Sequence, residues 1–179
     1  MNQELFSLRE NEIFQTLKEL KDFEFVIIGG YAVNANTLQR FSIDCDIVIT
    51  DKNELKKIEK ILFKIGYKKE HKIGKLPYSG DFARYEKVLS NNFTVSFDIL
   101  IKKVKDRMTN SEFSAEWVFE NSKIRTLKGK TITEELKTRI IDINALIAMK
   151  IISCRATDIR DVFMMFPNAK DKDWIKKEV

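Results

Sequence analysis

The chain has 179 residues, of which 44% are hydrophobic and 33% charged, so it can bury a sizeable core as a single domain. No apolar run approaches the roughly 18 residues that a membrane span requires, and the first residues lack the basic and apolar segments of a secretory signal. These features argue against a membrane protein and predict a cytoplasmic one. The net charge of +5 weakly favours polyanionic or acidic partners.

The cysteines and the single histidine carry no chemical signal of their own. Cys45 and Cys154 have no paired spacing that indicates a disulfide framework or a zinc site. Both are therefore expected to be reduced thiols. His71 lies in a lysine-rich stretch and is expected to be exposed rather than catalytic.

The first elements are an amphipathic helix and a buried strand. Apolar residues recur at helical spacing between residues 10 and 21, which predicts a packing helix. A continuous apolar run from Phe25 to Ile28 predicts a strand buried on both faces. Gly29 and Gly30 then end the strand before a helix predicted over residues 31–38. A glycine pair lets main-chain amides approach a phosphate closely, although tight turns use the same residues for steric reasons.

A second strand carries Asp44 and Asp46. Side chains alternate between the two faces of a strand, so both carboxylates point the same way. Such a pair repels itself unless it is protonated or bridged by a cation, and a divalent ion can reach oxygens of both. The alternative is an edge strand with solvated acids.

The next segment is an amphipathic helix followed by a basic stretch. Residues 52–65 place their apolar residues on one side and close at Gly66, which is typical of a helix with a glycine stop. Residues 68–75 add positive charge in a loop or strand. This stretch is either a solvated face or an RNA-facing surface.

Residues 82–89 and 93–101 flank Asn91 and Asn92 and predict a β-hairpin, because asparagine tolerates tight turns. The second arm alternates well and places Asp98 on a mostly apolar strand. A buried unpaired carboxylate is costly, so Asp98 needs a cation, a cluster of donors or an exposed sheet face. A third acid that joins Asp44 and Asp46 is the simplest explanation.

The last third of the chain is predicted to be mainly helical. A short helix spans residues 114–121, and a small hairpin joins residues 124–127 to 131–132. Residues 142–152 are apolar nearly all round, which marks a buried helix. Lys150 within it either reaches solvent or meets a counter-charge, such as a triphosphate.

The expected fold class is α+β, with a mixed β-sheet flanked by helices and a helical C-terminal part. We expect one domain over residues 1–179. Within it, a catalytic sheet core covers about residues 1–112 and a mainly helical part covers about 113–179.

Three motifs together resemble the nucleotidyltransferase superfamily of polymerase-beta-like enzymes. These are the glycine pair Gly29 and Gly30, the acidic pair Asp44 and Asp46 after thirteen intervening residues, and Asp98 on a later strand. The resemblance implies the nucleotidyltransferase fold named for that superfamily. It also implies transfer of a nucleoside monophosphate from an NTP to an acceptor hydroxyl.

A finer resemblance is to the AbiEii and MenA group of nucleotidyltransferase toxins. It rests on the GGYAV start, on Arg40, and on the late series Lys150, Arg155, Asp158 and Asp161. The resemblance implies an RNA acceptor, particularly a tRNA end, or a protein acceptor, and an antitoxin protein as partner. The alternatives are an adenylyltransferase for an antibiotic and a nucleotide-binding regulatory module without turnover.

The resemblance also implies roles for individual residues. Catalysis and binding of Mg²⁺ or Mn²⁺ are expected at three acids: Asp44, Asp46 and Asp98. Nucleotide binding is expected at the glycine pair and the late charged residues: Gly29, Gly30, Arg40, Lys150, Arg155 and Asp158. Two positions depart from the pattern. Gly30 stands where many superfamily members have a phosphate-binding serine, and Thr157 stands where the toxin group usually has lysine.

Overall fold

The structure is a computed structural model that describes residues 3–70, 81–90 and 93–179. His71, expected to be exposed, and the turn residues Asn91 and Asn92 lie outside these ranges. Within them, every helix is too short or too polar to cross a membrane. Cys45 and Cys154 are free thiols, as predicted.

Seven helices and nine strands make up the part of the chain that the structure describes. The helices are α1 Gln3–Glu19, α2 Gly29–Asn34, α3 Lys52–Lys64, α4 Ala115–Glu120, α5 Ile143–Ser153, α6 Ala156–Met165 and α7 Lys172–Glu178, with a 3₁₀ turn at Phe166–Asn168. The strands are β1 Val26–Ile28, β2 Asp44–Ile49, β3 Lys68–Glu70, β4 Phe82–Ser90, β5 Phe93–Ile101, β6 Lys103–Lys105, β7 Glu112–Ser114, β8 Ser122–Lys128 and β9 Glu135–Ile141.

Seven of the strands form one mixed sheet in the order β3-β4-β5-β2-β1-β9-β8. β2 runs parallel to β5, and β1 runs parallel to β9. The other neighbours in the sheet are antiparallel. β6 and β7 form a separate two-stranded sheet. This mixed sheet with flanking helices confirms the predicted α+β class.

Helices α1 and α3 pack on one face of the sheet. Phe63 of α3 lies against the ring of Tyr85, and Thr16 of α1 shares a 3.0 Å hydrogen bond with the Tyr67 hydroxyl, whose ring contacts Phe97. Because side chains alternate along a strand, the neighbours of Tyr85 and Phe97 point to the opposite face. That opposite face carries the acids.

Helix α3 confirms the sequence pattern within one residue at its C-terminal end. Asp51 caps its start, because the Asp51 carboxylate accepts hydrogen bonds from the backbone amides of Asn53 and Glu54 at 2.6 and 2.9 Å. Gly66 follows its end with a φ of 96°, a conformation that glycine adopts without strain.

Helix α2 is shorter than predicted. It ends at Asn34 rather than at residue 38. The Asn36 side chain donates a 2.7 Å hydrogen bond to the Ala32 carbonyl, and the backbone amides of Asn36 and Thr37 both donate to Val33. These bonds satisfy the last carbonyls of the helix, so the chain can turn away.

The predicted hairpin of residues 124–127 with 131–132 is wrong in its second arm. β8 pairs instead with β9, which begins at Glu135. The Glu10 carboxylate accepts hydrogen bonds from the backbone amides of Lys130 and Thr131 at 2.7 and 2.6 Å. Helix α1 therefore holds this segment outside the sheet, and pairing starts later.

The strands β8 and β9 belong to the central sheet, since β9 lies beside β1 with Ile140 opposite Ile27. The predicted boundary at about residue 112 therefore does not separate a sheet core from a helical part. Parallel pairing of two distant strands has no local sequence signal, because each strand shows only its own apolar pattern.

Candidate active site

The three predicted acids lie on one face of two neighbouring strands. Asp44 and Asp46 belong to β2, and Asp98 belongs to β5. The parallel register sets Asp46 opposite Asp98 and Asp44 opposite Ser96, so the carboxylates lie next to one another, as expected. The Asp98 side chain is completely buried, whereas that of Asp44 is 35% exposed.

A cavity of about 450 Å³ opens beside the acidic pair. Eight of the nine predicted site residues line it: Gly29, Gly30, Arg40, Asp44, Asp46, Lys150, Arg155 and Asp158. Other lining residues form an apolar wall: Val104, Phe113, Leu146, Met149 and Ile152. Asp98 is not among the described residues that line the cavity, because it lies beyond Asp46 toward β4.

The glycine pair is required by close approach of two side chains. Gly29 has a φ of 62°, and a Cβ at this position would lie 1.9 Å from Oδ2 of Asp46. A Cβ on Gly30 would lie 2.3 Å from Oγ of Ser42. Both glycines therefore make room for polar groups of the site, which explains them sterically and leaves phosphate contact as a proposal.

Ser42 is a site residue that the sequence reasoning missed. Its hydroxyl lines the cavity in the space that a side chain at position 30 would occupy, and it lies 3.5 Å from Oδ1 of Asp44. Ser42 thus places a hydroxyl where Gly30 has none. Its position two residues before Asp44 was the available signal.

Arg84 is the second residue that the sequence reasoning missed. Its Nε donates to Oδ1 of Asp98 and its Nη2 donates to Oδ2, both at 2.6 Å. Nη2 also lies 3.4 Å from Oδ2 of Asp44. Of the three environments expected for Asp98, the described contacts show the cation, the Arg84 guanidinium. The signal was the predicted hairpin, which pairs the arm of Arg84 with that of Asp98.

Two opposing effects set the pKa of Asp98. Burial raises it, and the hydrogen bonds and charge of Arg84 lower it, so the pKa lies at about 6. The carboxyl of Asp98 is therefore mostly ionised at neutral pH and can accept a proton near it.

The acids fit a hard divalent cation by their chemistry. Carboxylate oxygens are the ligands that Mg²⁺ prefers, and Asp44 and Asp46 both line the cavity. As arranged, no three histidine, cysteine or acidic side chains within residues 3–70, 81–90 and 93–179 form a ready metal cluster. The Arg84 guanidinium holds Asp98 instead and approaches Asp44.

The predicted phosphate ligands are joined in a network of buried ion pairs. Nζ of Lys150 lies 2.6 Å from Oδ1 of Asp158 and 2.8 Å from Oδ2 of Asp161. Arg40 binds Asp161 through two hydrogen bonds of 2.7 Å. Lys150 therefore meets a counter-charge, one of its two predicted environments, and that charge is supplied by aspartates.

The network continues at the start of α6, where Arg155 is the N-cap residue. Arg155 pairs with Asp106 and lies 3.9 Å from Asp158, whose Oδ2 accepts a 2.7 Å hydrogen bond from Ser153. Burial raises the pKa of Asp161, but Arg40 and Lys150 outweigh it and hold that pKa below its usual value. The network fixes α5 and α6 against the segment that carries Arg40.

No protein-family model matches the sequence, and no curated protein matches it. The lincosamide antibiotic adenylyltransferase LnuA, in its lincomycin-bound structure, is 17% identical over 89% of this chain and 96% of its own, with a TM-score of 0.53. The antibiotic-resistance factor ANT(2'')-Ia is 13% identical over 99% of this chain and 90% of its own, with a TM-score of 0.61. JHP933 from Helicobacter pylori is 19% identical over 98% of this chain and 70% of its own, with a TM-score of 0.51. The chain therefore has the nucleotidyltransferase fold.

Replacement of Arg84 by methionine tests the origin of the Asp98 pKa. We expect the pKa of Asp98 in Arg84→Met to rise above the value of about 6, because burial then acts without the opposing guanidinium. Carbon-13 NMR titration of the aspartate carboxyls measures it. The exposed Asp51, whose pKa the backbone amides of Glu54 and Asn53 lower, serves as internal control. An unchanged Asp98 pKa contradicts the assignment.

Asp161→Asn tests the buried network. This change removes the carboxylate partner of Arg40 and leaves Lys150 with Asp158 alone, so it should lower the unfolding free energy in urea by up to about 3–5 kcal/mol at neutral pH. Asp173→Asn, which removes an exposed pair with Lys176, should cost nothing measurable.

The pH dependence gives a second check on Asp161. Because its folded pKa is depressed, its contribution is present above the unfolded aspartate pKa of about 3.9. We therefore expect the difference between wild type and Asp161→Asn to shrink as the pH falls below that value. Equal unfolding free energies of the two proteins at neutral pH would rule out a stabilising network.

Two glycine substitutions separate backbone strain from steric conflict. Gly66→Ala puts a Cβ on a residue in a strained backbone conformation, with its nearest neighbour, Cε of Lys87, 3.6 Å away, and should cost about 1–2 kcal/mol of unfolding free energy. Gly29→Ala adds a collision with the Asp46 carboxylate and should cost clearly more. Equal losses in urea unfolding would show that Asp46 does not require this glycine.

Proposed function

We propose that the chain is a nucleotidyltransferase that moves a nucleoside monophosphate from an NTP to an acceptor hydroxyl, with Mg²⁺ or Mn²⁺ and release of pyrophosphate. One observation carries the proposal. Asp44, Asp46 and Asp98 lie in register on adjacent parallel strands, and Asp44 and Asp46 line a cavity, within a chain that has the nucleotidyltransferase fold. The proposal includes a cytoplasmic location, where NTPs are present.

The part of the site that would bind the nucleotide is formed by the acidic pair, Asp44 and Asp46, and the glycine pair, Gly29 and Gly30. Asp44 and Asp46 would hold the cation, which neutralises charge on the triphosphate and on the departing pyrophosphate. Gly29 and Gly30 have no side chains that would cover the backbone near Asp46, so main-chain atoms can approach the phosphates. The Ser42 hydroxyl is positioned to donate to a phosphate oxygen.

The basic residues of the network complete the nucleotide side. Arg40, Lys150 and Arg155 line the cavity, and each is held by an aspartate. Their shared carboxylates fix their positions before any ligand binds, which lowers the entropy lost on phosphate binding. The apolar wall of the cavity offers a surface for the planar base.

Asp98 lies on the acceptor side of the reaction. Asp98 and the pair Gly29 and Gly30 lie on opposite sides of Asp46, and Asp98 does not line the cavity. The acceptor and the pyrophosphate would therefore lie on opposite sides of the α-phosphorus. Asp98 would help to hold a second cation and would take the proton of the acceptor hydroxyl. The acceptor oxygen then bonds to phosphorus as the bond between phosphorus and pyrophosphate breaks. The Asp98 pKa of about 6 suits this role near neutral pH.

An RNA or protein acceptor agrees with the net charge of +5 and with the toxin-like motifs. We therefore keep a tRNA end, in an AbiEii- or MenA-like toxin with an antitoxin partner, as the first candidate. If the protein binds nucleotide but transfers nothing to any acceptor, we would assign it as a nucleotide-binding module without turnover.

A small hydroxyl compound is the second candidate, and two observations favour it. LnuA has lincomycin bound, and a structure of ANT(2'')-Ia contains adenylyl-2''-tobramycin. This chain matches 96% of the LnuA chain. In addition, the strand register brings Glu70 and Glu86 onto the face of Asp98, an acidic surface for a cationic acceptor that sequence inspection did not reveal.

The test is transfer of label from α-labelled NTPs in the presence of Mg²⁺. Wild-type protein should label one acceptor among total RNA, protein, lincomycin and tobramycin, whereas Asp46→Asn should lose at least about a hundredfold in rate because the cation loses a ligand. Asp173→Asn, an exposed aspartate in α7, is the matched control and should transfer normally. Undiminished transfer by Asp46→Asn would refute the metal role of this residue.

A further inference from the structure

Arg84 lies in a row of charged residues that crosses four strands of the sheet. Glu70 of β3 is opposite Arg84 of β4, Arg84 is opposite Asp98 of β5, and Asp98 is opposite Asp46 of β2. Residues directly opposite on paired strands have their Cβ atoms about 5 Å apart. The Arg84 guanidinium can therefore reach an acid on either side.

In the structure, Arg84 faces the acids of the candidate metal site. It makes two 2.6 Å hydrogen bonds to Asp98 and lies 3.4 Å from Asp44, with 15% of its side chain exposed. Its positive charge thus already offsets the repulsion between the two carboxylates, as a bridging metal ion would. A divalent ion bound by Asp98 would compete with the guanidinium for the two Asp98 oxygens, and one bound by Oδ2 of Asp44 would be repelled by the same charge.

We propose that Arg84 is an exchangeable counter-cation: it neutralises Asp98 and Asp44 until a divalent ion takes their oxygens, and it then moves toward Glu70. This inference rests on the proposed function, because it needs a metal ion at the acids. Arg84 is in this sense a positioning residue, which holds Asp98 in place and keeps the buried carboxylate paired before loading. Glu70 receives the displaced charge, so that no uncompensated charge is left in the sheet.

The exchange has a direct spectroscopic test in the wild-type protein. Nitrogen-15 NMR should show the Arg84 Nε–H protected from water exchange without metal, and Arg84→Lys identifies the signal by its loss. Addition of Mg²⁺ with a non-hydrolysable NTP analogue should shift this signal and accelerate its exchange. An unchanged Arg84 signal at saturating Mg²⁺ and analogue overturns the proposal.

The affinity for Mn²⁺, measured by calorimetry with the same analogue, provides a second test. Arg84→Lys keeps the charge but loses the two-pronged contact with Asp98, so Mn²⁺ should bind roughly tenfold more tightly. Glu70→Gln removes the acid that receives Arg84, so Mn²⁺ should bind more weakly, by about threefold. Glu135→Gln, in a pair with Lys128 at the far edge of the sheet, is the matched control and should leave the affinity unchanged.

The outcomes distinguish this inference from the proposed function. If Mn²⁺ binds to wild type and not to Asp46→Asn while Arg84→Lys and Glu70→Gln bind it as wild type does, the exchange is refuted and the proposed function stands. If Mn²⁺ binds none of these proteins, both are refuted. Tighter binding in Arg84→Lys together with weaker binding in Glu70→Gln supports the exchange.

Discussion

Compensation of buried negative charge is the constraint on which the rest of this site depends. Asp98 is fully buried, Asp46 and Asp161 are nearly so, and the protein cannot leave such carboxylates without a partner. The partners come from separate elements. Arg84 on β4 serves Asp98, whereas Lys150 on α5 and Arg40 in the segment before β2 serve Asp161.

These two compensated groups lie on either side of the acidic pair and differ in what they can do. In the network around Lys150, single carboxylates pair with more than one cation and single cations pair with more than one carboxylate. Loss of any one contact therefore leaves the other contacts in place. Arg84 instead is the cation that the described contacts place on Asp98, and an alternative acid lies beside it. The network around Lys150 suits a part of the cavity that stays rigid, whereas the contact of Arg84 suits the replacement of Arg84 by a divalent ion.

Sequence pattern predicted the helices and strands correctly where a segment packs against or pairs with residues close to it in the chain. The β4–β5 hairpin and helix α3 follow from alternation and from amphipathic spacing, as the sequence indicates. The second hairpin was misjudged because Glu10, far away in the chain, binds the backbone of Lys130 and Thr131 and delays the return strand. Likewise, membership of β9 in the main sheet depends on pairing with β1 across more than a hundred residues.

The sequence by itself determined that Asp44 and Asp46 share a face, because side chains alternate along any strand. It also determined that Asp98 lies on a strand too apolar to tolerate an unpaired acid. Only the tertiary structure decided which cation each carboxylate meets. Arg84 is separated from Asp98 by 14 residues and Arg40 from Asp161 by 121, and such pairs are chosen by strand register and helix packing, which no local spacing records.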